Sequence, residues 1–281
     1  CKVMKKNTIL SILALCALLY SCSSKYNGAT ERLNNARLSL NEQDFARAKE
    51  HLDSLEILYP KALNERLSAI ALLDTIRRAE NNFIIKNCDS LLTIYQIKVD
   101  SMKAGFIAEE QKDEHSSNIS FVPRESWTNG MVSQTTLRSR VMSDGEFRLE
   151  SYFVGAKQPH DKISFSAKGG VSIESLPITG DGFNFRFANL GKNFEVMTVT
   201  SATDNGIKKF ISENIEKALT VKLIGKQSYQ YTLPASSQKA IVKSINLSNA
   251  ILMKDSLATE KEKAAFRNYN LDLKLSKDSI K

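Results

Sequence analysis

The chain has 281 residues, with 39 Lys plus Arg against 31 Asp plus Glu, a formal net charge of +8. Its 42% hydrophobic and 25% charged content, with only four Cys, excludes collagen-like, disulfide-dense and wholly disordered classes and suits one large domain or two ordinary ones. The basic excess raises nucleic-acid binding as the first question to test.

Lys2, Lys5 and Lys6 precede an apolar run over residues 9–20, too short to span a bilayer and built like the n- and h-regions of a secretory leader. Met4-Lys5-Lys6 looks like a bacterial start, which would leave residues 1–3 outside the natural chain. The run ends in Leu19-Tyr20-Ser21-Cys22, with an apolar residue three before the Cys and a small one just before it. This resembles the bacterial lipobox, and the resemblance implies that Cys22 becomes the acylated first residue of a membrane-tethered protein. Cys1 and Cys16 would leave with the leader. Only Cys88 would remain as a thiol, so no intrachain disulfide is possible, and its neighbours Ile84, Ile85, Leu91 and Leu92 predict a buried core position.

Residues 30–112 read as a helical arm, nearly free of Gly and Pro. Gln43 to Ala48, then Leu52, Leu55 and Pro60, are similar to one tetratricopeptide unit. Phe45 would wedge between two antiparallel helices, Ala48 would let them approach, and Pro60 would end the second. One unit is too few for a peptide-binding superhelix, so a helical hairpin is expected. A further helix runs to about Lys103. Leu63, Leu67 and Ile70 open its apolar stripe, and Ile84, Cys88, Leu91, Tyr95 and Met102 resume it. The polar seam positions Asp74, Arg77 and Asn81 predict a break or exposed stretch near Arg77-Arg78.

Residues 113–134 read as a linker, polar at their start. The hydrophobic period then changes to two over residues 135–233, predicting about eight short antiparallel strands in a β-sandwich. Asp144-Gly145 marks one hairpin turn and Gly169-Gly170 another. A short helix follows Asp204-Asn205-Gly206. Pro234 opens a last helix with Ile241, Ile245, Ser248 and Leu252 on one face, and the alternation of Tyr269, Leu271, Leu273 and Leu275 suggests a closing strand or a tail. The expected class is α+β: residues 1–21 a leader, 22–29 a tether, then arm, linker, sandwich, and 234–281 as C-terminal helix and tail.

No residue set carries a catalytic signature: there is no His-Glu-x-x-His, Gly-x-Ser-x-Gly, phosphate loop or Cys-x-x-Cys. No cofactor, no metal and no catalytic residue is therefore expected. His51 and His115 are scattered, and His160 beside Asp161 reads as a loop histidine rather than half a metal site. Trp127, the only Trp, reads as a plug closing the sandwich, with sugar stacking as the alternative, in which Trp127, Tyr152 and Tyr229 would be the stacking rings. A hydrolase would need clustered carboxylates, for which Glu146, Glu150 and Asp161 are the nearest candidates.

Six of the thirteen Asp begin an Asp, hydroxyl, apolar triplet, where average usage predicts about one. The hydroxyls are Ser54, Thr75, Ser90, Ser101, Ser256 and Ser279. The triplet resembles the O-glycosylation signal of exported Bacteroidota proteins. With the lipobox, the hairpin closing in Tyr59-Pro60, the stretch from Leu137 to Glu146 and Tyr229-x-Tyr231-x-Leu233, the chain is similar to a family of Bacteroidota lipoproteins. That resemblance implies location and architecture, and no activity. The absence of an acid between Cys22 and Glu31 implies, by the same resemblance, the periplasmic face of the outer membrane.

The expected role is therefore a lipid-anchored, non-enzymatic envelope protein with a protein partner, with a glycan-binding module or an unfamiliar hydrolase as alternatives. Charge sharpens this. From Cys22 on, 36 basic residues face 31 acidic ones. The excess divides into −2 over residues 22–116, +3 over 117–233 and +4 over 234–281, which describes no nucleic-acid patch. An anionic membrane surface or envelope polymer suits it better, and no nucleic-acid partner is expected.

Overall fold

The computed structural model describes residues 27–113, 116–127, 132–155, 159–180 and 182–278. The class is α+β: five helices and two antiparallel sheets among the described residues. The chain divides into two compact units, one of residues up to Asp89 together with Thr259–Lys281, the other Ser90–Ala258.

The helical unit begins with α1 (Asn27–Asn41) and α2 (Phe45–Leu58), joined by a tight turn in which the Asp44 side chain caps α2 by accepting from the Arg47 amide at 3.0 Å. Pro60 lies in the turn that ends α2 and precedes α3 (Leu63–Lys103), as the sequence predicts. Phe45 packs on Phe83 of α3 at 5.7 Å between ring centroids, and Ala48 is fully buried. The buried face of α3 differs from the expected stripe. Ala69 and Ile76 of α3, with Ala62 just before it, enter the core with Ala29, Leu33, Ala36, Leu52 and Leu55, while Leu63, Leu67 and Ile70 remain exposed. Small residues win the inward positions because alanines let helix axes approach closely.

Of the break or exposed stretch expected near Arg77-Arg78, the break does not occur, whereas the Arg77 side chain is 52% exposed. The polar seam is filled by the last part of α5 (Ala235–Asp278), which runs helical through the predicted strand or tail at 269–275. Buried Asn81 donates to Asn268 at 3.0 Å and accepts from Arg267 Nε at 2.9 Å. Arg78 pairs with Asp272 and Lys274 with Asp74, each at 2.6 Å. A polar stripe facing a polar stripe continues a helix pair as well as an apolar one when each group finds its partner. Cys88 is buried and free, as expected.

Among the described residues the second unit holds ten strands. The helix α3 ends at Lys103, so the last part of the expected arm (to residue 112) and the first part of the expected linker (from 113) form instead a hairpin, β1 (Phe106–Asp113) and β2 (Ser116–Pro123), paired from Phe106↔Pro123 to Asp113↔Ser116. Its acids hid a strand: Phe106 is buried on one face, while Glu109, on the other face with buried Val122, is held by arginines. β3 (Thr136–Met142) and β4 (Phe147–Val154) form the predicted Asp144-Gly145 hairpin, with Gly145 at φ 88° and its carbonyl accepting from Ser248 at 2.6 Å. β5 (His160–Ala167) and β6 (Ser172–Glu174) follow, then β7 (Asn184–Asn189), β8 (Lys192–Val199), α4 (Ile207–Glu213), β9 (Leu219–Gly225) and β10 (Tyr229–Thr232).

The sheets run β1-β2-β3-β4-β8-β7 and β10-β9-β5-β6. The chain leaves the first after β4, makes β5 and β6, returns for β7 and β8, and finishes in the second. Side chains of both sheets meet in one core: Leu137, Leu149, Met197 and Val199 from one, and Ile163, Phe165, Val221 and Leu223 from the other, with Ile207 and Ile211 of α4 and Ile241 and Ile245 of α5. A smaller cluster joins Val99, Phe106, Val141, Leu247 and Ile251.

Candidate functional site

Register defines the outer face of the six-stranded sheet. Leu137, Leu149, Met197 and Val199 point inward, so their neighbours along each strand point outward. Directly opposed residues then assemble a grid: Thr136, Arg138 and Arg140 on β3; Tyr152, Glu150 and Arg148 on β4; Phe194, Val196 and Thr198 on β8; Phe187 and Phe185 on β7. Glu109 and Ser120 extend it over β1 and β2.

Half of this face is ionic. Arg138 reaches Glu109, and the Arg140 guanidinium spans Glu109 at 3.4 Å, Ser120 Oγ at 3.1 Å and Glu150 at 2.7 Å. Arg148 binds Glu146 through Nε at 2.9 Å and Nη2 at 2.7 Å. Three guanidiniums thus face three carboxylates. Burial acts to lower the Arg140 pKa, but Glu150 and Glu109 outweigh it and leave it raised. Tyr152 donates to Glu150 at 3.2 Å, and burial, then the Glu150 charge, push its phenol up to about 12. Tyr152 is therefore a neutral donor at physiological pH. Glu146 and Glu150, weighed as hydrolytic acids, are each bound by an arginine rather than paired with each other.

The other half is aromatic. Phe185, Phe187 and Phe194 form a stack, with centroids 6.1 Å apart at 24° and then 5.0 Å apart at 7°. Phe194 is buried and anchors the row, whereas Phe185 is 45% exposed. Between the halves lies a groove of about 220 Å³, lined by Arg140, Arg148, Glu150, Tyr152, Phe183 and Phe185 with Val196 and Thr198 below.

The three rings expected to stack on a ligand do not converge. Tyr152 lines the groove. Tyr229 packs on Phe153 at 4.8 Å, and Phe153, next to Tyr152 on β4, points to the opposite face. Trp127 follows β2, is 36% exposed and is not among the side chains of the core clusters. Phe183, Phe185 and Phe187 were legible as an alternating strand, but their phase relative to Tyr152 depends on the order β4-β8-β7.

A second polar centre lies inside. His160 is buried rather than in a loop. A bulge between His160 and Lys162 shifts the phase of β5, so His160 points inward with Ile163 and Phe165. Fully buried Glu195 accepts from the His160 amide at 3.0 Å, contacts His160 Nδ1, and accepts from Arg186 Nη2 at 2.6 Å. Phe153 meets the imidazole edge-on at 5.0 Å. Glu195 falls in phase with Met197 and Val199, the one sequence signal that it faces the core. Asp161, the third carboxylate weighed for a hydrolase, is the bulged residue beside His160.

Among the described residues, no cluster of three or more His, Cys, Asp or Glu could hold a metal ion, and no helix is long and apolar enough to cross a membrane. Of the triplet hydroxyls, Thr75, Ser90, Ser101 and Ser256 are exposed on helices and Ser54 is half-buried. Ser279, Cys22 and His115 lie outside the described residues. No protein-family model, no curated protein and no solved structure matches the chain.

Proposed function

We propose that this is a lipid-anchored, non-enzymatic envelope protein of the periplasmic side of the outer membrane, tethered through Cys22 and working by contact with another protein. One observation carries the contact: the helical unit leaves an apolar stripe uncovered. Leu63, Leu67 and Ile70 recur at helical spacing on α3, 67%, 67% and 57% exposed, and Ile57 and Leu58 at the end of α2 are exposed as well. Scattered exposed leucines are ordinary, but a run at one spacing on one helix face supports an interaction surface. The test is the double variant Leu67→Glu/Ile70→Glu, compared with wild type by crosslinking in intact cells. Loss of a specific crosslinked species with an unchanged melting curve supports the reading; an unchanged crosslinking pattern refutes it. Glycosylation of at least one exposed triplet hydroxyl belongs to the same proposal, and an intact mass equal to the acylated polypeptide alone would refute that part.

A second reading, a carbohydrate-binding module, is supported by the aromatic row and groove on the outer face of the six-stranded sheet.

A further inference from the structure

We propose that the groove between Tyr152 and Phe185 holds one ring of a neutral saccharide. This rests on the carbohydrate reading and assigns it a site and a ligand class. Size limits the occupant first. At about 220 Å³ the groove falls below the roughly 300–1,000 Å³ that encloses a drug-sized ligand, so a single saccharide ring fits it better than a larger cofactor.

Charge limits it next. An anionic ligand would need an unpaired guanidinium, yet Arg138, Arg140 and Arg148 are each bound to a carboxylate. A nucleic-acid strand needs a positive track for its phosphates, and three arginines against three glutamates supply none. What the groove offers is a charge-neutral, mixed set of polar groups held in place by one another: the N–H groups of Arg148 beyond those given to Glu146, the Glu150 carboxylate, the Tyr152 hydroxyl oxygen as an acceptor, and Thr198. Hydroxyl groups are the ligand chemistry that both donates and accepts, so they can use all four.

The aromatic wall completes the match. A sugar ring presents C–H groups on its face and hydroxyls at its rim, and it needs a flat apolar surface beside a polar one. Phe185 supplies that surface. Its ring is propped by Phe187, which lies flat on buried Phe194, so the platform is set before a ligand arrives.

The experiment screens the purified chain on an array of neutral and acidic glycans and measures the strongest neutral binder by calorimetry. Phe185→Ala is the principal variant, because an exposed ring can be removed without opening the core; Tyr152→Phe removes only the hydroxyl. Each should weaken binding by about tenfold or more with the melting curve unchanged for Phe185→Ala. If no glycan of either class binds, the proposal and the carbohydrate reading fail together. If one binds but only Trp127→Ala or Tyr229→Ala weakens it, the carbohydrate reading survives and this site is wrong. If only acidic glycans bind, the neutral class is wrong.

Discussion

Removing the Glu195 carboxylate tests the internal organisation of the β-rich unit most directly. Glu195 is fully buried and serves three donors: the His160 amide at 3.0 Å, His160 Nδ1, and Arg186 Nη2 at 2.6 Å. In Glu195→Ala the two His160 donors are stranded, since His160 is only 3% exposed and water cannot replace the carboxylate without opening the core. Each stranded donor costs about 1–3 kcal/mol. The Arg186 side chain is 43% exposed and returns to water, so its loss adds little. The expected destabilisation is about 3–5 kcal/mol, the range for breaking a buried pair from one side. For a unit of this size, each kcal/mol lowers Tm by roughly 2–4 °C. Urea and thermal denaturation followed by circular dichroism would measure it. Glu195→Gln keeps an acceptor for the amide and should cost about half as much, and Arg186→Ala, which leaves the fully buried carboxylate held by His160 alone, should cost about 1–3 kcal/mol. A loss below about 1 kcal/mol for Glu195→Ala would refute the reasoning.

Three further outcomes are expected. Gly225→Ala should destabilise by about 1–3 kcal/mol, because its Cβ would sit 2.1 Å from the Pro159 carbonyl and 3.1 Å from His160 Cα, both backbone atoms fixed by the bulge; denaturation midpoints would show it. The Tyr152 phenol should titrate near 12 rather than near 10 in an ultraviolet difference titration with Tyr152→Phe as the reference. Because its folded value is raised, the associated stability is present below about 10 and is lost as pH rises through about 12. Cys22→Ser should move the protein from the membrane to the soluble fraction on cell fractionation, whereas retention in the membrane would exclude a lipid tether at Cys22.

How far the sequence carries can be judged at particular places. The Asp144-Gly145 and Gly169-Gly170 turns were legible because positive φ demands specific residues, and the observed values of 88°, 112° and 86° at the three glycines meet that demand. The hairpin at Phe106 to Pro123 was not legible, because its acids read as solvated until Arg138 and Arg140 lie beside Glu109. The unbroken α3 was missed for a related reason: Asp74, Arg78 and Asn81 are satisfied by residues almost 200 positions away. The candidate groove has the same origin. Its aromatic and ionic halves come from strands separated by two crossings between sheets, and no local pattern brings Tyr152 to Phe185.

The +8 charge, the helical first half, the period-two second half and the turns between strands are properties of neighbouring residues, set by side-chain type and backbone preference, so the sequence alone determined them. Pairing was another matter. Which apolar stripe of α3 is buried, which charges neutralise which, that His160 turns inward to Glu195, and which rings share a face all depend on register and strand order. Those are fixed by packing and hydrogen bonding between distant segments, and only the tertiary structure decided them.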